Sequence, residues 1–217
     1  IGHYTFDEYK NGKLANLANE SKKASSSKKN KIVPGKNGNA LKLTGDDGVN
    51  LGIGNFNRTQ PFTISLWMNT PHHKERTVVY SRSKAWTDAG SRGYQMLLRN
   101  GHLSTSLIHF WPGNAINIRS TTKLPINEWH HASVTYDGSS HARGLSIYID
   151  GQLTETEVHK DNLYKNITGG GNDNIVIGQR FRDVGFSQGL VDDFHVFDRK
   201  LTAGEIAQLY DGQSLTK

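Results

Sequence analysis

From Ala40 onward, apolar and polar residues alternate with a period of two in one short run after another: ALKLTG, FTISLWMN, TVVYSR, GYQMLLR, HLSTSLIHFW, AINIRS, WHHASVTY, LSIYID, QLTETEV, NIVIGQ and LVDDFHVF. That period turns one face of an extended strand toward a core and the other away from it. A further run, HYTFDEY, opens the chain. Asn100-Gly101 divides GYQMLLR from HLSTSLIHFW, and Asp150-Gly151 divides LSIYID from QLTETEV. Both dipeptides accept the positive φ values that two-residue hairpin turns require. About a dozen antiparallel strands of this length predict an all-β fold, a two-sheet antiparallel sandwich.

Two segments depart from the alternation. In LTAGEIAQLYDG, Thr202 and Glu205 form a T-x-x-E capping box, Ile206, Leu209 and Tyr210 share one helical face, and Gly212 supplies the stop. This predicts one short C-terminal helix lying as a lid over sheet edges. Residues 10–38, rich in Lys, Ser, Asn and Gly, lack the apolar residues to build a core and predict a long surface loop.

The chain of 217 residues fits one sizeable domain, 1–217, and is long enough to bury a core. The 23 Gly suit many short strands joined by tight turns. No run approaches the length of a membrane-spanning helix. The absence of Cys excludes disulfides, thiolate metal sites and Cys nucleophiles within the chain. The start, IGHYTF, has neither an initiator Met nor a signal-peptide pattern, which reads as a mature fragment or an excised domain. The net charge of +6 is concentrated: residues 10–36 hold eight Lys against the single acid Glu20, so the remainder is near neutral. One basic loop on a neutral body does not match the broad basic stripe of a nucleic-acid reader, so no nucleic-acid partner is expected.

FTISLWM, WHHASVTYDGS, LSIYIDGQL, IVIGQ and GLVDDFHVFDRKLTAGEIAQLYDG follow one another in an order that resembles the laminin-G-like jelly roll of the concanavalin A-like lectin and glucanase superfamily. The resemblance covers almost the whole chain. AWTDAGSRGYQ, LIHFWPGNAI and GQRFRDVGF are similar to a narrower branch, embedded in large exported bacterial proteins beside cytochrome-c-like domains. The resemblance implies a jelly-roll sandwich, export to the periplasm or cell exterior, often a structural calcium ion, and binding of a carbohydrate or of a neighbouring protein domain.

Catalytic signals are missing. The superfamily's glucanases carry an E-x-D-x-x-E pattern on one strand, which projects acid and nucleophile into one cleft. None of the seven Glu begins such a pattern. Glu155 and Glu157 share a strand face, but no aromatic sugar platform stands beside them, and a solvated face accounts for them. There is no G-x-S-x-G elbow, and the pairs His72-His73 and His130-His131 diverge on a strand rather than converge on zinc. No enzymatic activity is expected.

Binding chemistry collects in three loops: SKAWTDAGSRGY with Trp86, Asp88 and Arg92; HFWPGNA with His109, Trp111 and Asn114; and GQRFRDVGF with Arg180, Arg182, Asp183 and Phe186. An aromatic ring receives the C–H face of a sugar, and planar charged or amide groups form paired hydrogen bonds with its hydroxyls. The same groups also build a rigid loop, with Arg stacked on Trp and paired to Asp. Trp67 and Trp129 alternate with apolar neighbours, as core residues do.

The last strand carries two adjacent acids in GLVDDFHVFDR. Unbroken alternation places Leu190, Asp192, Phe194 and Val196 on one face and Val191, Asp193, His195 and Phe197 on the other. Both faces hold apolar residues, so periodicity leaves open which is inner, but one acid turns inward or toward the sandwich rim. By the resemblance, the first and last strands are neighbours, which brings Asp7 toward Asp192 and Asp193 as a calcium set, with further oxygens from Asp46 and Asp47. The alternatives are hydrogen bonding, a charge pair between Asp193 and His195, or an Arg partner, Arg182 or Arg199.

Overall fold

The computed structural model describes residues 1–27, 29–83, 92–171, 173–179 and 184–215. Among these, eighteen strands, one short 3-10 turn at Ala142–Gly144 and one α-helix are formed: β1 Gly2–Tyr4, β2 Tyr9–Lys10, β3 Lys13–Leu14, β4 Ala24–Ser26, β5 Lys31–Pro34, β6 Asn39–Lys42, β7 Val49–Asn50, β8 Phe62–Asn69, β9 Thr77–Arg82, β10 Gly93–Arg99, β11 His102–Phe110, β12 Asn114–Lys123, β13 Trp129–Tyr136, β14 Leu145–Ile149, β15 Gln152–Leu153, β16 Thr156–Asn162, β17 Val176–Ile177, β18 Leu190–Phe197 and α1 Ala203–Tyr210. They form two antiparallel sheets, as the alternation predicts. The eight-stranded sheet has the order β15-β14-β13-β8-β18-β6-β5, with β1 also on β18; the ten-stranded sheet runs β16-β12-β11-β10-β9-β17-β7-β4-β3-β2.

The core lies between the sheets. Phe62, Ile64, Leu66 and Met68 of β8 face Tyr94, Met96 and Leu98 of β10 and Leu103 and Leu107 of β11 within one buried cluster. Each fully buried side chain of this size stabilises the fold by about 1.5–3 kcal/mol relative to exposure. Both predicted hairpins form: Arg99 pairs with His102 around Asn100 and Gly101, and Ile149 with Gln152 around Asp150 and Gly151. All four turn residues have positive φ.

Three predicted strands are cut by the topology. HYTFDEY stops at Tyr4, because Phe6 takes a φ of 61°, and the chain then crosses to β2 of the other sheet. QLTETEV divides into β15 and β16, which belong to different sheets. NIVIGQ contributes only Val176–Ile177. The Lys-rich stretch also departs from the predicted loop. It forms β2 to β5, which close one end of each sheet with β2 and β5 outermost, and buries Leu14, Asn16, Ala24 and Asn30 among exposed lysines. Asn30 holds this edge by donating to the Asp47 carbonyl and accepting from the Thr44 N–H. Such sparse anchors have no period.

The helix forms as predicted, with the capping box closed in both directions between Thr202 and Glu205. Its Ile206 and Leu209 meet Tyr148 and Leu201 in a second apolar cluster, on the outer face of the eight-stranded sheet. Trp67 is buried in the same layer, stacked on Tyr210 at 5.5 Å, rather than in the core between the sheets. Trp129 is half-buried.

Candidate functional site

The outer face of the ten-stranded sheet is built from the polar positions of four adjacent strands. In register, Gln95 of β10 faces Ser106 of β11, Ser106 faces Asn117 of β12, and Asn117 faces Lys160 of β16. One step along, Ser104 pairs with Arg119, and Arg119 with Glu157. Because the intervening residues Met96, Leu107, Ile116 and Ile118 are in the core, these polar side chains all point outward. All of them except Glu157, which stands at the rim, line a concavity of about 250 Å³ with Arg99, Trp111 and His159.

Its floor is fixed by hydrogen bonds. Asn117 Nδ2 donates to Ser106 Oγ at 2.8 Å, to Ser104 Oγ at 3.0 Å and to the Thr105 carbonyl at 2.8 Å. At the rim, Arg119 donates to Glu157 at 2.8 Å. That contact holds the Glu157 carboxyl below its usual range. Trp111 is half-buried at the end of the β11–β12 connection, and its peptide bond to Pro112 is cis. The lining offers an indole ring, amides, hydroxyls and cationic groups, and none of its described residues is a carboxylate.

Of the predicted binding residues, Trp111 lines this concavity. Asn114 and His109 are occupied as scaffold: the buried Asn114 Oδ1 accepts the N–H groups of Tyr164 and Lys165, and the His109 ring contacts the Asn166 carbonyl at 2.5 Å. Both therefore fasten the segment after β16 to the end of the β11–β12 hairpin. Arg92 is half-buried beside Gly170 and does not line the concavity. Phe186 is fully buried in the core. Trp86, Asp88, Arg180, Arg182 and Asp183 lie outside the described residues. Gln95, Ser104, Ser106, Asn117 and Arg119 are each ordinary polar strand residues, without a motif of their own; the β10–β11 and β11–β12 registers stack them together.

The last strand answers the question of its two acids differently. A bulge lies between Asp192 and His195, so Asp193 and Phe194 together stand opposite Leu66, and Asp193 takes a φ of 46°. The bulge reverses the parity of the strand. Val191, Phe194 and Val196 face the core, while Asp192 and His195 lie opposite Trp67 and Ser65 on the outer face. The predicted unbroken faces are thus corrected by one inserted residue.

Asp192 is fully buried because the turn between β5 and β6 folds over it, with Lys36 Nζ 4.6 Å above the Trp67 ring. The backbone N–H groups of Lys36 and Asn37 donate to Asp192 Oδ2 at 2.9 and 2.8 Å. Burial nevertheless pushes the Asp192 carboxyl up to about 6, since Oδ1 has no partner among the described residues. Asp7 is exposed and caps the same turn, accepting from the Asn39 N–H at 2.8 Å. Asp47 is used locally by Thr44 Oγ1. Arg199 pairs with Glu205, not with either acid of β18.

Asp7, Asp192 and Asp193 therefore do not form the predicted calcium set. Strand β1 does neighbour β18, but its short length places His3 opposite His195, with Asp7 beyond the break at Phe6. Asp192 Oδ2 is met by two N–H dipoles whose positive ends occupy the approach a cation would need. Asp193 Oδ1 instead contacts His3 Nε2 at 2.7 Å and His195 Nε2 at 3.1 Å, the charge-pair alternative with a second histidine added. Burial opposes ionisation of Asp193, but these two contacts hold its carboxyl well below the ordinary range. Burial lowers His195.

A family model described as the concanavalin A-like lectin/glucanases superfamily, of laminin-G type, matches residues 43–207. The chain belongs to this superfamily. No curated protein sequence matches it. Among solved structures it is similar to the binding domain of the Paraclostridial mosquitocidal protein 1, with 15% identity and a TM-score of 0.72, over 98% of this chain and 52% of that one. It is also similar to Trypanosoma rangeli sialidase, with 16% identity and a TM-score of 0.70, over 97% of this chain and 32% of that one. Domain 4 of an extracellular arabinanase from Geobacillus stearothermophilus, solved with arabinotriose, has 19% identity and a TM-score of 0.62, over 96% of this chain and 97% of that domain. The chain spans about half the length of the toxin binding domain. At these identities the likeness is one of fold, and within the superfamily it fixes the jelly-roll sandwich.

Proposed function

We propose that this domain is a non-catalytic recognition module of a larger exported protein, and that it binds carbohydrate in the concavity of the ten-stranded sheet. The observation that carries this reading is the in-register polar row Gln95–Ser106–Asn117–Lys160, bordered by Trp111, on an open sheet face. Rigid amides and hydroxyls supply directed hydrogen bonds, and the indole supplies a stacking surface. Arg99, Arg119 and Lys160 make the lining cationic and favour acidic saccharides over neutral ones. Among its described residues the concavity holds no carboxylate pair to act as acid and nucleophile in glycoside cleavage. The arabinanase domain solved with arabinotriose is a saccharide-associated example of the same fold.

Affinity electrophoresis against neutral and uronic-acid polysaccharides tests the reading. Retardation by an acidic polysaccharide is expected, and Trp111→Ala weakens it at least about tenfold, roughly 1.4 kcal/mol, with the melting temperature little changed. If no polysaccharide retards the protein, or if Trp111→Ala binds as wild type does, the reading is lost. A Trp111→Ala protein that melts several degrees lower would instead favour a structural or protein-docking domain whose loops pack internally.

A further inference from the structure

On the outer face of the eight-stranded sheet, opposite the saccharide concavity, three metal-ligating side chains converge. His3 and His195 are directly paired across β1 and β18, and their Tyr4 and Phe194 neighbours are in the core, so both imidazoles point outward on the same side. The bulge at Asp193 lifts its carboxylate out of the strand alternation, and Oδ1 meets the Nε2 edges of both rings. The ligand atoms of His3, Asp193 and His195 all lie within 4.8 Å of one another, the one such group among the described residues. They open onto a cavity of about 360 Å³, closed on its far side by Leu209 and the 212–215 segment.

We infer that His3, Asp193 and His195 form a binding site for a divalent first-row transition ion such as zinc, through the two Nε2 atoms and an Asp193 carboxylate oxygen. Two imidazoles with one carboxylate are a donor set for zinc-like ions rather than for calcium, which selects oxygen. Bonds of about 2.0–2.1 Å in a tetrahedral shell separate neighbouring ligand atoms by about 3.3 Å. To reach that spacing the two contacts of Asp193 Oδ1, 2.7 and 3.1 Å, open by about 0.6 and 0.2 Å. The rings are stacked with centroids 4.0 Å apart, so a modest rotation of His3, the more exposed of the two, brings both Nε2 atoms onto one ion. Three protein ligands leave a fourth position, and it faces the cavity. Asp193 holds a left-handed backbone conformation that asparagine and aspartate tolerate better than other non-glycine residues, a strained position kept where the carboxylate is needed.

The test is calorimetric titration of the tag-free chain with zinc chloride, paired with thermal unfolding in zinc and in chelator. One saturable ion per chain is expected, with a melting temperature raised by zinc and restored by chelator. Asp193→Asn preserves the backbone preference and removes the anionic ligand; it and His3→Gln each weaken zinc at least about tenfold and abolish the zinc-dependent shift. His141→Ala, outside the cluster, leaves both unchanged. Equal molar calcium does not displace the zinc. Absence of saturable zinc binding by the wild type overturns the site, as does wild-type zinc affinity in a folded Asp193→Asn or His3→Gln protein. Neither outcome bears on polysaccharide retardation, which reads the other sheet.

Discussion

The two outer sheet faces start from the same kind of pattern and end differently. On the ten-stranded sheet, the row Gln95–Ser106–Asn117–Lys160 stays open as the wall of a concavity. On the eight-stranded sheet, the row Tyr148–Ser133–Ser65–His195–His3 runs across five strands, and most of it is covered by α1 and the segments beside it. Ser133 donates to Ser65, and Ser65 contacts His131 Nε2 at 2.7 Å, so these three covered groups bond one another, while Trp67 Nε1, His131 Nδ1 and Asp192 Oδ1 have no partner among the described residues. An open face can spend polar side chains on a ligand; a roofed one must satisfy them internally. Polar alternation alone therefore marks a face that is not core, and the cover decides what that face can do.

Removing the roof is the most severe way to break this contrast. Ile206→Ala deletes a fully buried side chain between α1 and the sheet and is expected to lower unfolding stability by about 2–5 kcal/mol, measured by urea denaturation. A loss below about 1 kcal/mol would mean that the helix is an independent flap. On the open face, Arg119→Gln removes only a half-exposed rim contact and is expected to leave the urea midpoint nearly unchanged while weakening any acidic saccharide.

Which parts of this arrangement were legible in the sequence follows from how local their causes are. The hairpins at Asn100-Gly101 and Asp150-Gly151 and the Thr202–Glu205 capping box are set by neighbouring residues and appear as predicted. The bulge at Asp193 is not local, because it exists only through pairing with β8, so the two faces of LVDDFHVF were read one residue out of step beyond it. The Lys-rich stretch departs from the prediction for a similar reason: its backbone N–H groups at Lys36 and Asn37 donate to an acid 156 and 155 residues away. Trp111 was found from its chemistry alone, whereas its polar neighbours needed the register of four strands.

Charge under the roof gives a sharper contrast, read through pH. Burial is the main cause that lowers His131 from 6.5 to about 4, so the unfolded chain binds the extra proton within that window. Its contribution is therefore complete above pH 6.5 and is lost as pH falls toward 4, with a slope of up to about 1.4 kcal/mol per pH unit. Asp192 acts with the opposite sign. Its folded value of about 6 lies above the ordinary 3.8, so its contribution is complete below 3.8 and is lost as pH rises through 6. Urea titrations from pH 4 to 7 should show wild type gaining stability relative to His131→Gln as pH rises, and losing it relative to Asp192→Asn. Parallel curves for the three proteins would show that neither group is desolvated by the cover.

The smallest effect asks how far the cover depends on its own end. Thr202 Oγ1 accepts from the Glu205 N–H, and the Thr202 N–H donates to the Glu205 carboxylate at 2.8 Å. Arg199 adds a 2.7 Å contact to that carboxylate and is the leading cause that holds it down to about 2. Thr202→Ala removes the hydroxyl but leaves Ile206 and Leu209 in place, so a loss of about 1 kcal/mol is expected in urea. The apolar contacts, not the cap, hold α1 on the sheet, so exchange protection of His131 and Ser133 amides should persist in Thr202→Ala and fall in Ile206→Ala. Equal loss of protection in both variants would move the anchor of the roof from its apolar underside to its first turn.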